Sequence, residues 1–164
     1  MSGTAAAALQ LLAAAALALF LWSLFRLALG LRAAKVAREG ARRAEEERGR
    51  RVVAEIPLSE GEVIFFLDDG DAFRWGDSSA RKSEIVGARM LLNGAVVGSF
   101  SRDGAPLPDP PVPAEYEGRE RWDVRLYLRD GRALEVPCGT MREGVSCEIA
   151  AKVFDAVRVA ATRR

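Results

Sequence analysis

The chain has 164 residues, 24 of them Lys or Arg and 23 Asp or Glu, for a formal net charge of +1, and it contains no histidine. The missing imidazole excludes His-based general-base catalysis, His-activated serine or cysteine nucleophiles, and the commonest zinc ligand. Charge is unevenly placed: residues 26–51 carry 9 basic and 4 acidic side chains and residues 52–164 carry 15 basic and 19 acidic ones, so the larger part lacks the basic excess of a nucleic-acid binder.

The stretch from Ala5 to Phe25, AAAALQLLAAAALALFLWSLF, is polar only at Gln10 and Ser23. A helix needs about 20 apolar residues to cross a hydrocarbon core of roughly 30 Å, and this run meets that length. A cleaved secretory signal has a basic leading region and an apolar core of about 7–15 residues. Here no Lys or Arg precedes Arg26, and the core is longer. The expectation is a retained transmembrane helix over 5–30, preceded by a short extracytoplasmic segment, 1–4. Leu12, Phe20, Trp22 and Phe25 are its anchors in lipid, with Trp22 suited to the interfacial belt and Arg26 placed to snorkel out of the core. Basic residues flank the far end at Arg26, Arg32, Lys35, Arg38, Arg42 and Arg43 and the near end nowhere. That asymmetry predicts an outward N-terminus and a cytoplasmic chain after Gly30. Arginine greatly outnumbers lysine, which occurs only at Lys35, Lys82 and Lys152; with the alanine richness, this is the composition of a GC-rich bacterial genome, and the membrane is then the bacterial inner membrane. Ala14 and Ala18 offer a small-xxx-small face on which two spans can pack as a homodimer.

Residues 31–51 read as a basic juxtamembrane helix or stalk. Glu39–Arg43, Glu46–Arg50 and Glu47–Arg51 are i,i+4 pairs in the favourable order, each worth about 0.2–0.5 kcal/mol. Gly40 and Gly49 each cost about 1 kcal/mol relative to alanine and mark places to fray or bend. Arg32, Lys35, Arg38, Arg42 and Arg43 are candidates for contact with an anionic lipid surface, but Glu45, Glu46 and Glu47 dilute the charge, which favours a solvated stalk.

Beyond Val52 the period changes to that of strands, and 52–164 reads as one small soluble β-rich domain. The run Val63–Leu67 breaks at Asp68-Asp69-Gly70 and resumes at Ala72–Trp75, a hairpin in which a three-residue loop sets Phe65 opposite Phe73 and Val63 opposite Trp75. Residues 84–92 and 95–101 flank Asn93-Gly94, the strongest short hairpin signal. Gly87 and Gly98 within those strands mark bends or bulges. Trp122, Val124, Leu126 and Leu128 alternate with polar residues, and a loop of Arg129, Asp130 and Gly131 predicts the pairs Leu126–Leu134, Val124–Val136 and Trp122–Cys138. Between the hairpins, 103–118 holds five prolines from Pro106 to Pro113 and is expected to be an extended loop. A helix over 143–162 gathers Val145, Ile149, Ala150, Val153, Phe154, Val157, Ala160 and Ala161 on one side.

The fold class is therefore α+β: a transmembrane helix and helical stalk, then six or seven antiparallel strands, with Val52–Ile56 as the seventh, capped by a C-terminal amphipathic helix. The hairpins at DDG, NG and RDG, the strand WDVRLYL, the continuation ALEVPCG and the helix EIAAKVFDAVRVAA give residues 52–161 a layout that resembles the pleckstrin-homology-like (PH-like) domains of bacterial single-pass membrane proteins. The resemblance implies a strongly bent sheet capped by the helix. It carries over no headgroup site, since the first hairpin loop is Asp68-Asp69-Gly70-Asp71, or Leu58-Ser59-Glu60-Gly61 one strand earlier, and neither is basic.

No catalytic, cofactor-binding or metal-ligating set emerges. Asp68, Asp69 and Asp71 lack the spacing of a calcium loop and suit turn chemistry. Cys138 and Cys147 fall short of a zinc set and are expected to be reduced, buried small hydrophobes; an inverted topology would instead favour a disulfide between them. The expected function is a membrane-anchored protein-interaction or scaffolding module, with the lipid bilayer and another membrane or cytoplasmic protein as partners and no nucleic acid. An enzyme relying on carboxylates, Arg or Tyr is the rival reading.

Overall fold

After Ala44 the chain divides into an N-terminal helical unit, Met1–Ala44, and a larger unit, Glu45–Arg164. The computed structural model describes residues 3–58, 62–110, 120–140 and 145–162, with only the backbone described at 3–11 and at 15.

Helix α1 runs over Gly3–Glu47. Its 45 residues extend about 68 Å at 1.5 Å per residue, more than twice a hydrocarbon core. It passes through Gly40 without a break and ends at Glu47, four residues earlier than expected. Gly49, at φ 78°, supplies the left-handed residue that stops it. The amide of Gly49 donates to the Glu46 carbonyl at 2.9 Å and that of Arg50 to the Glu45 carbonyl at 3.1 Å, the paired bonds of a Schellman cap. This turn overrides two of the expected ion pairs. Arg50 folds back to Glu45 at 2.9 Å, and Arg51, now in a strand, reaches Asp68 at 3.0 Å. Glu39 lies 3.9 Å from Lys35.

The described residues of the larger unit form eight strands and, beyond the end of α1, one helix. Strands β1 (Arg51–Pro57), β2 (Val63–Asp68), β3 (Ala72–Trp75) and β4 (Ser78–Arg81) form one antiparallel sheet in that order. Strands β5 (Ile85–Leu92), β6 (Ala95–Ser101), β7 (Trp122–Leu128) and β8 (Ala133–Gly139) form a second, ordered β6-β5-β7-β8, and helix α2 (Val145–Thr162) follows. The expected seventh strand is β1. The eighth, β4, was not expected, because in Ser78-Ser79-Ala80-Arg81 only Ala80 is apolar and points inward. Among the described residues, eight strands in two sheets thus replace the six or seven of the sequence reading.

Within the first hairpin the register differs from expectation. Leu67 pairs with Arg74 and Asp68 with Phe73. The reason is a tighter turn: the Asp69 amide donates to the Ala72 carbonyl at 3.1 Å, leaving Gly70, at φ 92°, and Asp71 at the tip. Phe66 rather than Phe65 is therefore the inward residue, stacked on Phe73 at 5.1 Å and 5.6 Å from Trp75, while Phe65 pairs with Glu55 of β1. The β5–β6 hairpin forms at Asn93-Gly94 as expected, with φ 50° and 78°. Its glycines lie at irregularities, Gly98 at a bulge opposite Met90 and Gly87 at a register shift against β7. In the last hairpin Leu126 pairs with Leu134 and Val124 with Val136, and the three-residue loop closes through Leu128 and Arg132 at 2.9 Å. A bulge at its open end makes Gly139, not Cys138, the partner of Trp122.

One core joins both sheets to α2, built around Ile56, Phe66, Phe73, Ile85, Val124, Leu126, Val136, Val153 and Val157. Trp75 fixes the sheets together by donating its indole N–H to the Glu135 carbonyl at 3.2 Å. On α2 the buried stripe includes Ser146 and leaves Val145 41% exposed. Steps of three and four residues from Val157 back through Val153, Ala150 and Ile149 arrive at Ser146, so helical geometry selects the serine over the valine. Described residues of the proline-rich loop, 103–110, have no regular structure, as expected; 111–118 of that expectation, and residues 143 and 144 of the expected helix, lie outside the described residues.

Candidate binding groove

Asp68 closes β2 and is the centre of a charged cluster. Its carboxylate accepts from the Lys82 ammonium at 2.5 Å, the Arg51 guanidinium at 3.0 Å and the Gly70 amide at 3.0 Å. Lys82 is brought there by the first sheet: its amide donates to the Asp71 carbonyl at 2.9 Å, and its ammonium lies 4.9 Å from the Phe73 ring centroid. Burial works to raise the Asp68 pKa, but the hydrogen bonds from Lys82, Gly70 and Arg51 outweigh it and hold the carboxyl below the ordinary aspartate range. The neighbouring Asp69 accepts from the Ala72 amide at 2.9 Å and pairs with Arg74. Both aspartates thus do turn chemistry, as their sequence suggests.

Across from this cluster stands one flank of α2. Lys152, Asp155, Ala156, Val159 and Ala160 recur at three- and four-residue steps, beside the stripe that faces the core. Between that flank and Arg51, Val52 and Val53 of β1 lies an open groove of about 700 Å³, lined also by Asp68, Gly70 and Lys82. Its size matches the roughly 300–1,000 Å³ of typical ligand clefts. Its lining is mixed, with Arg51, Asp68, Lys82, Lys152 and Asp155 charged and Val52, Val53, Ala156, Val159 and Ala160 apolar.

Of the groove residues, Asp68 alone was weighed from the sequence as a possible ligand, and was set aside for turn chemistry; Arg51, Gly70 and Ala160 were read as an ion-pair, a turn and a helix-stripe residue. Rarity was the one available signal, since Lys82 and Lys152 are two of only three lysines. The anchor residues Leu12, Phe20, Trp22 and Phe25 are all exposed on α1, as are Arg26, Arg32, Lys35, Arg38, Arg42 and Arg43. Trp22 and Phe25 have ring centroids 6.2 Å apart. Ala14 and Ala18 are exposed and stand one turn apart.

A second polar cluster occupies the outer face of the second sheet. Arg89 and Arg125 are direct cross-strand neighbours, with Arg89 3.2 Å from Asp109, Arg125 3.7 Å from Glu135 and Arg121 2.8 Å from Asp123. Arginines and carboxylates balance there, which marks the cluster as a structural network. Among the described residues no group of three or more His, Cys, Asp or Glu is placed to hold a metal ion. Cys138 is buried and Cys147 half-buried, both as free thiols.

No family model matches the chain, and no curated protein or solved structure matches it.

Proposed function

We propose that this protein is a single-pass, membrane-anchored interaction or scaffolding module, its residues before the span outside and its β-rich domain in the cytoplasm. The observation that carries this reading is α1, which is long and apolar enough to cross a membrane and whose apolar window has no buried residue. Leu12, Leu17, Leu19, Phe20, Leu21 and Trp22 are each more than half exposed. Exposed apolar area is unfavourable by about 25 cal/mol per Å² in water, and a hydrocarbon core removes that cost. The one-sided arginines support the orientation. Antiparallel strands closed over one core by a C-terminal helix support a PH-like reading of the domain, and such domains act by binding.

Alkaline carbonate extraction of cells expressing the full chain tests the anchor, with the protein expected in the membrane pellet. A cysteine placed at the exposed Ser99 tests the orientation. It is expected to react with an impermeant maleimide only after the membrane is opened; labelling in intact cells overturns the cytoplasmic assignment, and release into the carbonate supernatant overturns the anchor.

A further inference from the structure

We propose that the groove between β1 and α2 docks an acidic segment of a partner protein, its carboxylates received between Arg51 on one wall and Lys152 on the other. The inference rests on the module reading above and specifies the chemistry that the module recognises.

Charge is the first argument. Asp68 is matched by two cations, Lys82 and Arg51. Asp155, the other carboxylate lining the groove, pairs with Arg158 at 2.8 Å. Lys152 is exposed, and no ion pair ties it down among the described residues. Local charge is therefore positive, on a unit, residues 45–164, with 22 acidic side chains against 18 basic ones. A positive groove on a unit of net negative charge focuses an anionic partner on that place.

Shape selects a peptide over a bilayer. A flat anionic membrane meets the whole face of the domain, including its excess carboxylates, and cannot enter a concavity of about 700 Å³. A few residues of polypeptide can. Apolar lining residues supply the rest of the recognition: Val53, Ala156 and Ala160 are half-buried and Val159 is 43% exposed, apolar surface that small partner side chains can cover. The bound segment thus combines acidic residues with small apolar ones.

The test is a selection from a phage-displayed random octapeptide library on the full chain in phosphatidylcholine nanodiscs, with empty nanodiscs as the control. Enriched peptides are expected to be rich in Asp and Glu. Their affinity, read by fluorescence anisotropy, is expected to fall about tenfold in Lys152→Glu and in Arg51→Gln, and to fall with added salt. Lys152 is exposed and Arg51 is 72% exposed, so both variants are expected to fold. Enriched peptides without acidic bias, or with affinities unchanged in both variants, overturn the acidic-segment assignment and leave the module reading standing. Failure to enrich any peptide overturns both. Binding to phosphatidylglycerol vesicles that displaces the selected peptides, and that Lys152→Glu abolishes, assigns the groove to a membrane and overturns the peptide.

Discussion

Asn93 and Arg121 clasp each other twice: the Asn93 amide donates to the Arg121 carbonyl at 2.8 Å, and the Arg121 amide donates to the Asn93 side-chain oxygen at 2.8 Å. The tip of the β5–β6 hairpin is thereby tied to the residue that leads into β7, 28 positions later. Asn93 also holds φ 50°, a conformation that Asn adopts more readily than most residues. One side chain thus serves the turn and the clasp together.

Replacing it separates the two roles. Asn93→Gly keeps the left-handed backbone and loses the side-chain bond, a cost of about 1 kcal/mol. Asn93→Ala loses both, and is expected to cost roughly 1–2 kcal/mol more. Urea unfolding of the full chain in detergent, followed by tryptophan fluorescence, measures the difference.

Among the described glycines, Gly87 is the one with no room. A Cβ there would lie 2.6 Å from the Phe100 carbonyl oxygen and 2.8 Å from a methyl of Leu107. Gly87→Ala is expected to destabilise the domain by about 1–3 kcal/mol, as overpacking does, and to dislodge Leu107. At Gly40 in α1 nothing lies within 4 Å, so Gly40→Ala is expected to favour the helix by up to about 1 kcal/mol. Opposite signs for one chemical change are read from unfolding midpoints and helical circular dichroism.

Acid should release the Asp68 cluster. Its folded-state pKa is lowered, so its contribution is present above the unfolded value of about 3.9 and is lost as pH falls through the folded value. Asp68→Asn is therefore expected to be less stable than the wild type at pH 7, with the gap closing in acid. Asp123 has the reverse sign. Burial raises its pKa against the pull of Arg121, so its contribution is full below the unfolded value and declines as pH rises through the folded one. Stability measured from pH 2 to 7 on wild type and Asp68→Asn checks the first sign directly.

The two thiols should differ. Cys138 is buried, and burial followed by the charge of Asp123 pushes its pKa up to about 12. Native protein at pH 8 is expected to take up one iodoacetamide, at the half-buried Cys147, and denatured protein two. Mass spectrometry of the intact chain counts the adducts, and a second rapid native adduct would contradict the burial of Cys138.

Much of this architecture was legible in local pattern. The apolar run of α1, the Asn93-Gly94 and Arg129–Gly131 turns and the stripe of α2 each carry their signal within a few neighbouring residues. The first hairpin was misread because Asp69 tightens the turn, a choice between loop lengths that hydrophobic alternation does not distinguish. β4 was invisible because it has one inward residue, and the end of α1 moved to Glu47 because Gly49 acts as a cap rather than as a weak helical residue.

The sequence by itself determined the elements whose physics is local: a helix long and apolar enough to cross a membrane, the places where strands turn, and the face that α2 must bury. Tertiary structure alone decided that β5 lies between β6 and β7, that Trp75 bridges two sheets, and that Arg51, Lys82 and Lys152 meet around one groove. Those three cations are separated by 31 and 70 positions in the chain. No periodicity or spacing rule links residues so far apart; only the packing of α2 beside the edge of the first sheet does so.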